Sequence, residues 1–527
     1  MRVKLTLDIA TTQIRHLLHC LQVACALIAA IGASSSPALA APGNLDATFG
    51  AGTGKVTTAV IGGGFNSASS LALQPDGKLV LAGFCSSASF PSRFCLARYN
   101  ANGTLDTTLN LTGRVVAPSV GSKPTDIVIG GAVQPDGKIL LAGWCTPDGS
   151  GANTCVARYN VNGTSDTTWA GTGKLVASFG SGDSVAKAIT LQPDGKVLLA
   201  VFCYGANPTS QTFTCVVRYN ADGTLDTTLN GTGSAMIAMR GGTSNDSVQS
   251  IILQPDGKII VAGFCYPAAG NGIQFCFARL NGDGSLDATL NGTGSVSAAI
   301  GSGGDLAFAV ALQPDGKILM SGRCFNGGNS DDFCLARFNT NGSFDTTLGG
   351  TGKIVTTMGV GADSAYAMAV QPDGKILLAG SCFNGANNDD FCLLRYHANG
   401  TLDTSMNGGS SAIFTAIGGG ADIAIAIALQ PDGKIVLAGY CAGASGLDFC
   451  LARYEGGPFS YKNCSMDIDG DNRVLATTDS LIHTRIALGI TGPAVVSGIT
   501  FPAAALRKTW PLIRDFLVTQ CGMTLLP

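Results

Sequence analysis

The sequence predicts an all-β protein, a seven-bladed β-propeller of four-stranded blades followed by a small α-helical C-terminal domain, and three observations predict it. The pentapeptide Gln-Pro-Asp-Gly-Lys starts at Gln74, Gln134, Gln192, Gln254, Gln313, Gln371 and Gln430, at intervals of 58–62 residues. A period that steady marks one supersecondary unit repeated as a propeller or a solenoid. Each interval holds four short apolar segments separated by turn residues, the number of strands in one blade. The composition agrees: 72 of 527 residues are Gly, 13% are charged, and Glu455 is the single Glu. Helix surfaces draw heavily on Glu, so a chain nearly without it is mostly sheet and turn.

Residues 1–40 combine early positive charge (Arg2, Lys4, Arg15), an apolar run over residues 17–33 and the small-residue end Ala38-Leu39-Ala40. This pattern predicts a secretory signal peptide cleaved after Ala40. Its removal takes the net charge from −3 to −5, which leaves no basic stripe for nucleic acid. No later segment is an uninterrupted apolar run of membrane length, so the mature chain is expected to have no membrane span. Its expected place is outside the cytoplasm: secreted, periplasmic or at the cell surface.

Residues 43–454 form the predicted propeller. The first unit runs Leu45-Asp46, a turn ending Gly52-Thr53-Gly54, a strand over 55–60, an apolar stretch to Leu73, the turn Pro75-Asp76-Gly77, and strands over 79–85 and 94–99. Pro fixes φ, Asp caps the turn and Gly accepts positive φ, so Pro-Asp-Gly reads as the hairpin between the second and third strands of the unit. Residues 79–82 are apolar at successive positions, which requires both sheet faces to be buried, as they are when blades stack around an axis. The segment 44–49 repeats the linker 104–109, whereas the seventh unit stops at Arg453-Tyr454 with no such linker. Residues 44–49 are therefore expected to dock beside the last blade and close the ring.

The pattern QPDGKxxxAGxC followed by FCLARYNxxGxLDxT resembles the delta-60 repeat, a bacterial β-propeller repeat domain of unknown function. The resemblance covers residues 43–454; it implies the fold and offers no activity.

Of 18 Cys, Cys20 and Cys25 would leave with the signal peptide. Fourteen fall as one pair per unit: Cys85/Cys95, Cys145/Cys155, Cys203/Cys215, Cys265/Cys276, Cys324/Cys334, Cys382/Cys392 and Cys441/Cys450. Facing positions on neighbouring antiparallel strands lie within reach of a disulfide, and such staples imply an oxidising compartment. The spacing is not that of a metal-binding Cys-x-x-Cys, and only His397 and His483 remain in the mature chain. Cys464 and Cys521 bracket the last segment and are expected to pair.

A linker over 455–463 leads into residues 464–527, the small helical domain. Asp467, Asp469 and Asp471 alternate along a loop, Arg473 offers a backbone carbonyl and Asp479 a closing carboxylate, with helix-like residues 480–488 behind. Hard oxygen ligands in this order resemble a dockerin or EF-hand-like loop, and imply one Ca²⁺ as the only cofactor. The sequence departs from that pattern: the closing acid is Asp, one place late, the turn Gly is fourth, and no second loop follows. A second helix is expected from Trp510-Pro511 to about Gln520, after Thr509 as N-cap.

Residues that recur in every unit are poor candidates for a site. Arg98, Asp106 and their counterparts read as a repeated ion pair or turn cap. His397 and His483 have no evident Ser or Asp partner in sequence, which disfavours a catalytic triad. Asp331, Asp332, Asp389 and Asp390 lie in Cys-bracketed loops and could share one rim with the aromatic residues Trp144, Tyr204 and Tyr266. The leading expectation is a secreted, non-enzymatic binding or surface-interaction module whose partner is an unknown extracellular protein, glycan or envelope polymer. The alternatives are a metal-assisted propeller hydrolase or lyase, and a purely structural extracellular protein. They separate on whether any one blade brings non-repeating polar residues to the channel mouth.

Overall fold

The computed structural model describes residues 41–120, 125–147, 151–205, 211–240, 245–266, 272–327, 330–358, 361–385, 388–406, 409, 412–443, 446–457, 482, 495–501 and 507–519. Within them, seven four-stranded antiparallel sheets follow one another along the chain. In the first blade the strands are Phe65–Leu73, Leu79–Ser87, Phe90–Tyr99 and Arg114–Val116. Consecutive first strands touch one another, and the last, Ile423–Leu429, touches Phe65–Leu73. The first strands are thus the inner wall of a closed ring.

The blades are out of phase with the sequence units by one strand. The strand after each Gly-rich turn, expected to open the blade of its own unit, is instead the outermost strand of the blade before it: Arg114–Val116 pairs with Phe90–Tyr99. The reason is the tight turn after each third strand, where Asn100 N donates to Thr104 O and Leu105 bridges back to Tyr99, so that the linker returns along the same blade; the crossing to the next blade comes only after the fourth strand. The Gln-Pro-Asp-Gly-Lys hairpin therefore joins the first and second strands. Ring closure also uses more than residues 44–49. Lys55–Thr58 supplies the fourth strand of the seventh blade, with Lys55 opposite Ala452 and Thr58 opposite Phe449, and Leu45 bridges Tyr454.

The successive apolar positions behave as expected. Leu79 to Gly83 are all buried, alternately facing the preceding and the following blade. Val80, Ala82 and Leu96 pack with Leu141, Cys145 and Ala157 of the second blade, whereas Leu79, Leu81 and Cys95 pack with Val436, Phe449 and Leu451 of the seventh. Each fully buried Leu or Val contributes roughly 1.5–3 kcal/mol, so the interfaces between blades carry the hydrophobic stabilisation.

The recurring polar residues form one network per blade. Gln74 N donates to Lys78 O at 2.8 Å, Gly77 takes φ +81°, and Asp76 Oδ1 accepts the Lys78 amide at 3.2 Å. Lys78 Nζ lies 3.6 Å and Arg98 Nε 2.7 Å from Asp106 Oδ2, while Asp106 Oδ1 accepts Thr108 N and Oγ1. Arg98 Nη1 then donates to Val161 O of the following unit at 2.7 Å. The same reach recurs from Arg158 to Ala221 O, Arg218 to Gly282 O, Arg279 to Thr340 O, Arg337 to Ala398 O and Arg395 to Gly456 O. Arg453 to Ala101 O completes the circle. The recurring Asp is both ion-pair partner and turn cap.

All seven repeated Cys pairs are disulfides, with Cα separations of 5.7–6.0 Å: Cys85–Cys95, Cys145–Cys155, Cys203–Cys215, Cys265–Cys276, Cys324–Cys334, Cys382–Cys392 and Cys441–Cys450. The pairing is as expected, but the register corrects the expectation of facing positions. Each bridge joins the second and third strands diagonally. Cys85 lies opposite Arg93 and Cys95 opposite Gly83; Cys145 lies opposite Asn153 and Cys155 opposite Gly143. Cys203 faces Phe213 and Cys215 faces Val201, while Cys265 faces Gln274 and Cys276 faces Gly263. In the last three blades Cys324, Cys382 and Cys441 stand opposite Asp332, Asp390 and Asp448, and Cys334, Cys392 and Cys450 opposite Gly322, Gly380 and Gly439. The two sulfurs are two residues out of register, so the period of the pleat keeps both on one sheet face. In the first blade that face is buried against the seventh.

Beyond the propeller, the helix Trp510–Thr519 begins where expected, with Ile513 N donating to Thr509 O at 3.1 Å. Trp510, Ile513 and Leu517 cluster with Ile482 and Val495. The signal segment, Cys464, Cys521, His483 and the acidic loop with Asp467, Asp469, Asp471, Arg473 and Asp479 lie outside the described residues.

Candidate functional site

Because neighbouring strands are antiparallel, the start of every first strand, the end of every second and the start of every third lie at one end of the ring. The disulfides and all the rim residues expected from sequence are at this end; the Gln-Pro-Asp-Gly-Lys hairpins and the Arg/Asp/Lys networks are at the other.

The rim acids lie on blades five and six, and three of the four have side-chain partners within the fold. Asp331 lies 3.3 Å from Arg323 Nη1. Asp332 is buried and accepts hydrogen bonds from Asn326 Nδ2 and, at 3.1 Å, from Thr357 Oγ1. Asp390 is buried likewise and accepts Asn384 Nδ2 at 2.8 Å, pinning the Cys-bracketed loop. Burial and the neighbouring Asp390 charge raise the Asp389 pKa. Among the described residues no group of three His, Cys, Asp or Glu is arranged to hold a metal ion.

The aromatic residues divide by position. Trp144 and Tyr204 are half-buried, and Phe202 packs edge-on against Tyr204 with ring centroids 5.6 Å apart. Tyr266 is 48% exposed, and Phe325 and Phe65 are 37% and 41% exposed at the same end.

Behind the rim, a buried acid opens the inner strand of five blades. Asp305 accepts Ile300 N and Gly301 N; Asp363 accepts Met358 N and Phe383 N; Asp246 accepts Met239 N at 2.6 Å. Asp422 caps Ile417 N and Gly418 N, and Asp126 caps Val120 N; Asn66 and Ser184 do the same work in the other two blades. Burial pushes the carboxyls of Asp246 and Asp363 up to about 6, with the charges of Asp332 and Asp389 adding to the rise at Asp363. These are loop pins held on backbone amides.

The inner strands contain the feature that sequence reasoning missed. Each has a one-residue bulge, between Ala68 and Ser70 in the first blade and at the equivalent place in the other six. Ala68 packs with the seventh blade, and Ser70 Oγ exchanges hydrogen bonds with Gly131 of the second. The bulged residue between them drops out of the ladder on the innermost strand, and its apolar counterparts belong to none of the hydrophobic cores between blades. Ser69, Lys187 and Gln249 are polar at this position, Ile129 and Ile425 aliphatic, and Phe308 and Tyr366 aromatic; all are half-buried. The signal was present: these residues stand five places before each Gln of the pentapeptide, and they vary while the flanking positions are always Ala, Gly, Ser or Val.

His397 is placed 3.8 Å from Asp403 Oδ1, a partner not foreseen. That carboxylate is already bound by Arg395, Lys375 and Ser405, so the pair is an extension of the structural network.

The fold and its repeated network define a repeat β-propeller of unknown function. The model of the family described as "Domain of unknown function (DUF5122) beta-propeller" matches each of the seven repeats, over residues 74–109, 134–168, 192–229, 254–290, 313–348, 371–405 and 430–456. No curated protein matches the chain. Among solved structures, an ulvan lyase from a new polysaccharide lyase family is 12% identical, with 76% of this chain and 96% of that one covered and a TM-score of 0.42. A glucose dehydrogenase is 13% identical over 61% of this chain and 95% of that one, with a TM-score of 0.35. The acylaminoacyl peptidase of Pyrococcus horikoshii is 11% identical over 75% of this chain and 53% of that one, with a TM-score of 0.38. Likenesses this distant carry no functional argument.

Proposed function

We propose that the protein is a secreted, non-enzymatic binding or surface-interaction module, and that it takes its partner, an extracellular protein, glycan or envelope polymer, at the end of the ring bearing the disulfides. The observation that carries this reading is the exposure of Phe65, Tyr266 and Phe325 at that end, beside loops held by disulfides and buried acids. Exposed aromatic groups on a rigid frame offer contact area at little entropic cost. The recurring Arg, Lys and Asp side chains, by contrast, are engaged in joining blades. A Ca²⁺ held by Asp467, Asp469, Asp471, Asp479 and the Arg473 carbonyl would brace the C-terminal segment.

The test is retention of the mature oxidised protein on a panel of envelope polysaccharides and surface proteins, with Ca²⁺ or with chelator. Saturable retention that falls in Tyr266→Ala supports the module; loss with chelator and in Asp469→Ala brings in the acidic loop. Retention by no member of the panel in either condition overturns the reading.

A further inference from the structure

The propeller is close to sevenfold in its strands, hairpins, disulfides and ion pairs, so an asymmetric feature at an equivalent position stands out. The bulge ring is such a feature. On the third blade it places Lys187, flanked by Ala186, which packs toward the second blade, and Ala188, which packs toward the fourth. Among the described residues no carboxylate lies in ion-pair range of the Lys187 ammonium, whereas Lys78, Lys138, Lys196, Lys258, Lys317, Lys375 and Lys434 are each paired with Asp. Gln249, on the next blade, holds a carboxamide on the same level, with Nε2 donating to Ser247 Oγ at 2.9 Å. On the next two blades, Phe308 and Tyr366 meet with ring centroids 5.0 Å apart. Their neighbours Ala307 and Ala365 each pack toward the preceding blade, so the two rings lean on each other at the axis and not within an interface core.

We propose that this level of the channel is a binding site for an acidic oligosaccharide, in which Lys187 takes the anionic group, Gln249 takes hydroxyls, and the Phe308–Tyr366 pair stacks on the apolar face of a sugar ring. The inference rests on the binding-module reading and names its ligand class. A half-buried ammonium without a carboxylate is best satisfied by an anion, a carboxamide offers both donor and acceptor to a hydroxyl, and the aromatic pair, its rings tilted by 38°, offers a ring face to the C–H face of a pyranose. Burial lowers the Lys187 pKa, which marks the same ammonium as incompletely hydrated.

The test is calorimetric titration of the mature oxidised protein with an oligogalacturonate, a κ-carrageenan oligosaccharide and a neutral maltooligosaccharide of matched length. The first carries carboxylates and the second sulfates, so the two arms identify the anion. Lys187→Gln places at blade three the residue that blade four already has, which guards against misfolding; Phe308→Ala tests the aromatic arm. Binding of one acidic probe and not the neutral one, weakened at least about tenfold by Lys187→Gln and also by Phe308→Ala, supports the proposal. Equal binding of neutral and acidic probes, no binding of either acidic probe, or wild-type affinity in Lys187→Gln overturns it. If the protein is retained by a partner on the panel but Lys187→Gln is retained equally, the channel site fails and the module reading stands; if no partner is retained, the module reading fails with it.

Discussion

Arg453 and Asp46 stand 407 positions apart in the chain, yet they make the contact that Arg98 and Asp106 make across eight. Arg453 Nε donates to Asp46 Oδ2 at 2.7 Å, as Arg98 Nε does to Asp106 Oδ2. Lys434 reaches the same Asp46 oxygen at 2.8 Å, and Thr48 caps the other, so the N-terminal segment rebuilds the complete linker network for the last blade. The ring closes by giving its final unit the parts it lacks.

It follows that Asp46→Ala destabilises the protein as much as Asp106→Ala, although Asp46 lies in a terminal segment, where changes are usually tolerated. Both variants leave a buried arginine without its carboxylate, at a cost of about 3–5 kcal/mol. Urea unfolding of the two variants beside wild type checks this; a neutral Asp46→Ala would show that the ring does not depend on its closure.

The disulfides give a second expectation. Closing a loop of about ten residues limits the unfolded chain by roughly 2–3 kcal/mol. The double variant Cys85→Ala/Cys95→Ala should lose about that much, read from chemical denaturation, and thiol titration of the unfolded, unreduced protein should find none of the fourteen repeat cysteines free. A full complement of titratable thiols contradicts the pairing.

The buried loop pins titrate in an unusual direction. Asp246 has its carboxyl pushed up to about 6 by burial, against an ordinary value of 3.8. Below pH 4 it is protonated folded and unfolded alike; between pH 4 and 6 the unfolded chain releases the proton first, so stability falls with rising pH and stays reduced above 6. Asn66 fills this position in the first blade and accepts Ile61 N at 2.9 Å, which makes Asp246→Asn a structural match. The variant should be more stable than wild type by about 1–3 kcal/mol at pH 7 and equal to it below pH 4. Thermal melts at both pH values decide it, and equal melting at pH 7 goes against the prediction.

The recurring linker acids show the opposite trend. Burial alone would raise Asp166 and Asp345, but hydrogen bonds from Thr168 and Lys138, or from Thr347 and Lys317, and the charge of Arg158 or Arg337 hold both at about 2. Groups depressed in this way stabilise the fold above pH 4, and that stability is lost as pH falls toward 2. Cooperative acid unfolding in the pH 4–2 window, followed by circular dichroism, is the expected result. A propeller unchanged at pH 2 would mean that the inter-blade network contributes little.

The pentapeptide period, the apolar runs and the surplus of linker sequence at the N-terminus were enough to read the number of blades, their four strands and the closing of the ring. Each depends on local pattern: turn residues at a fixed spacing, alternation or its absence, and a segment missing from one end and present at the other. The pairing of Cys85 with Cys95 was legible too, because one Cys pair per unit on neighbouring strands leaves few other partners.

What the tertiary structure alone decided is which strand joins which blade, the diagonal register of the disulfides, and the direction of the bulged residues. Lys55–Thr58 pairs with the last blade because the chain crosses over only after that strand, and no local preference marks the crossing point. Lys187, Phe308 and Tyr366 read in sequence as ordinary irregularities of a strand. They turn toward the axis because one residue drops out of hydrogen-bonding register between two small neighbours, each committed to a different blade. The sequence by itself therefore determined the repeated frame, and only the packing of blades around a common axis decided where that frame becomes asymmetric.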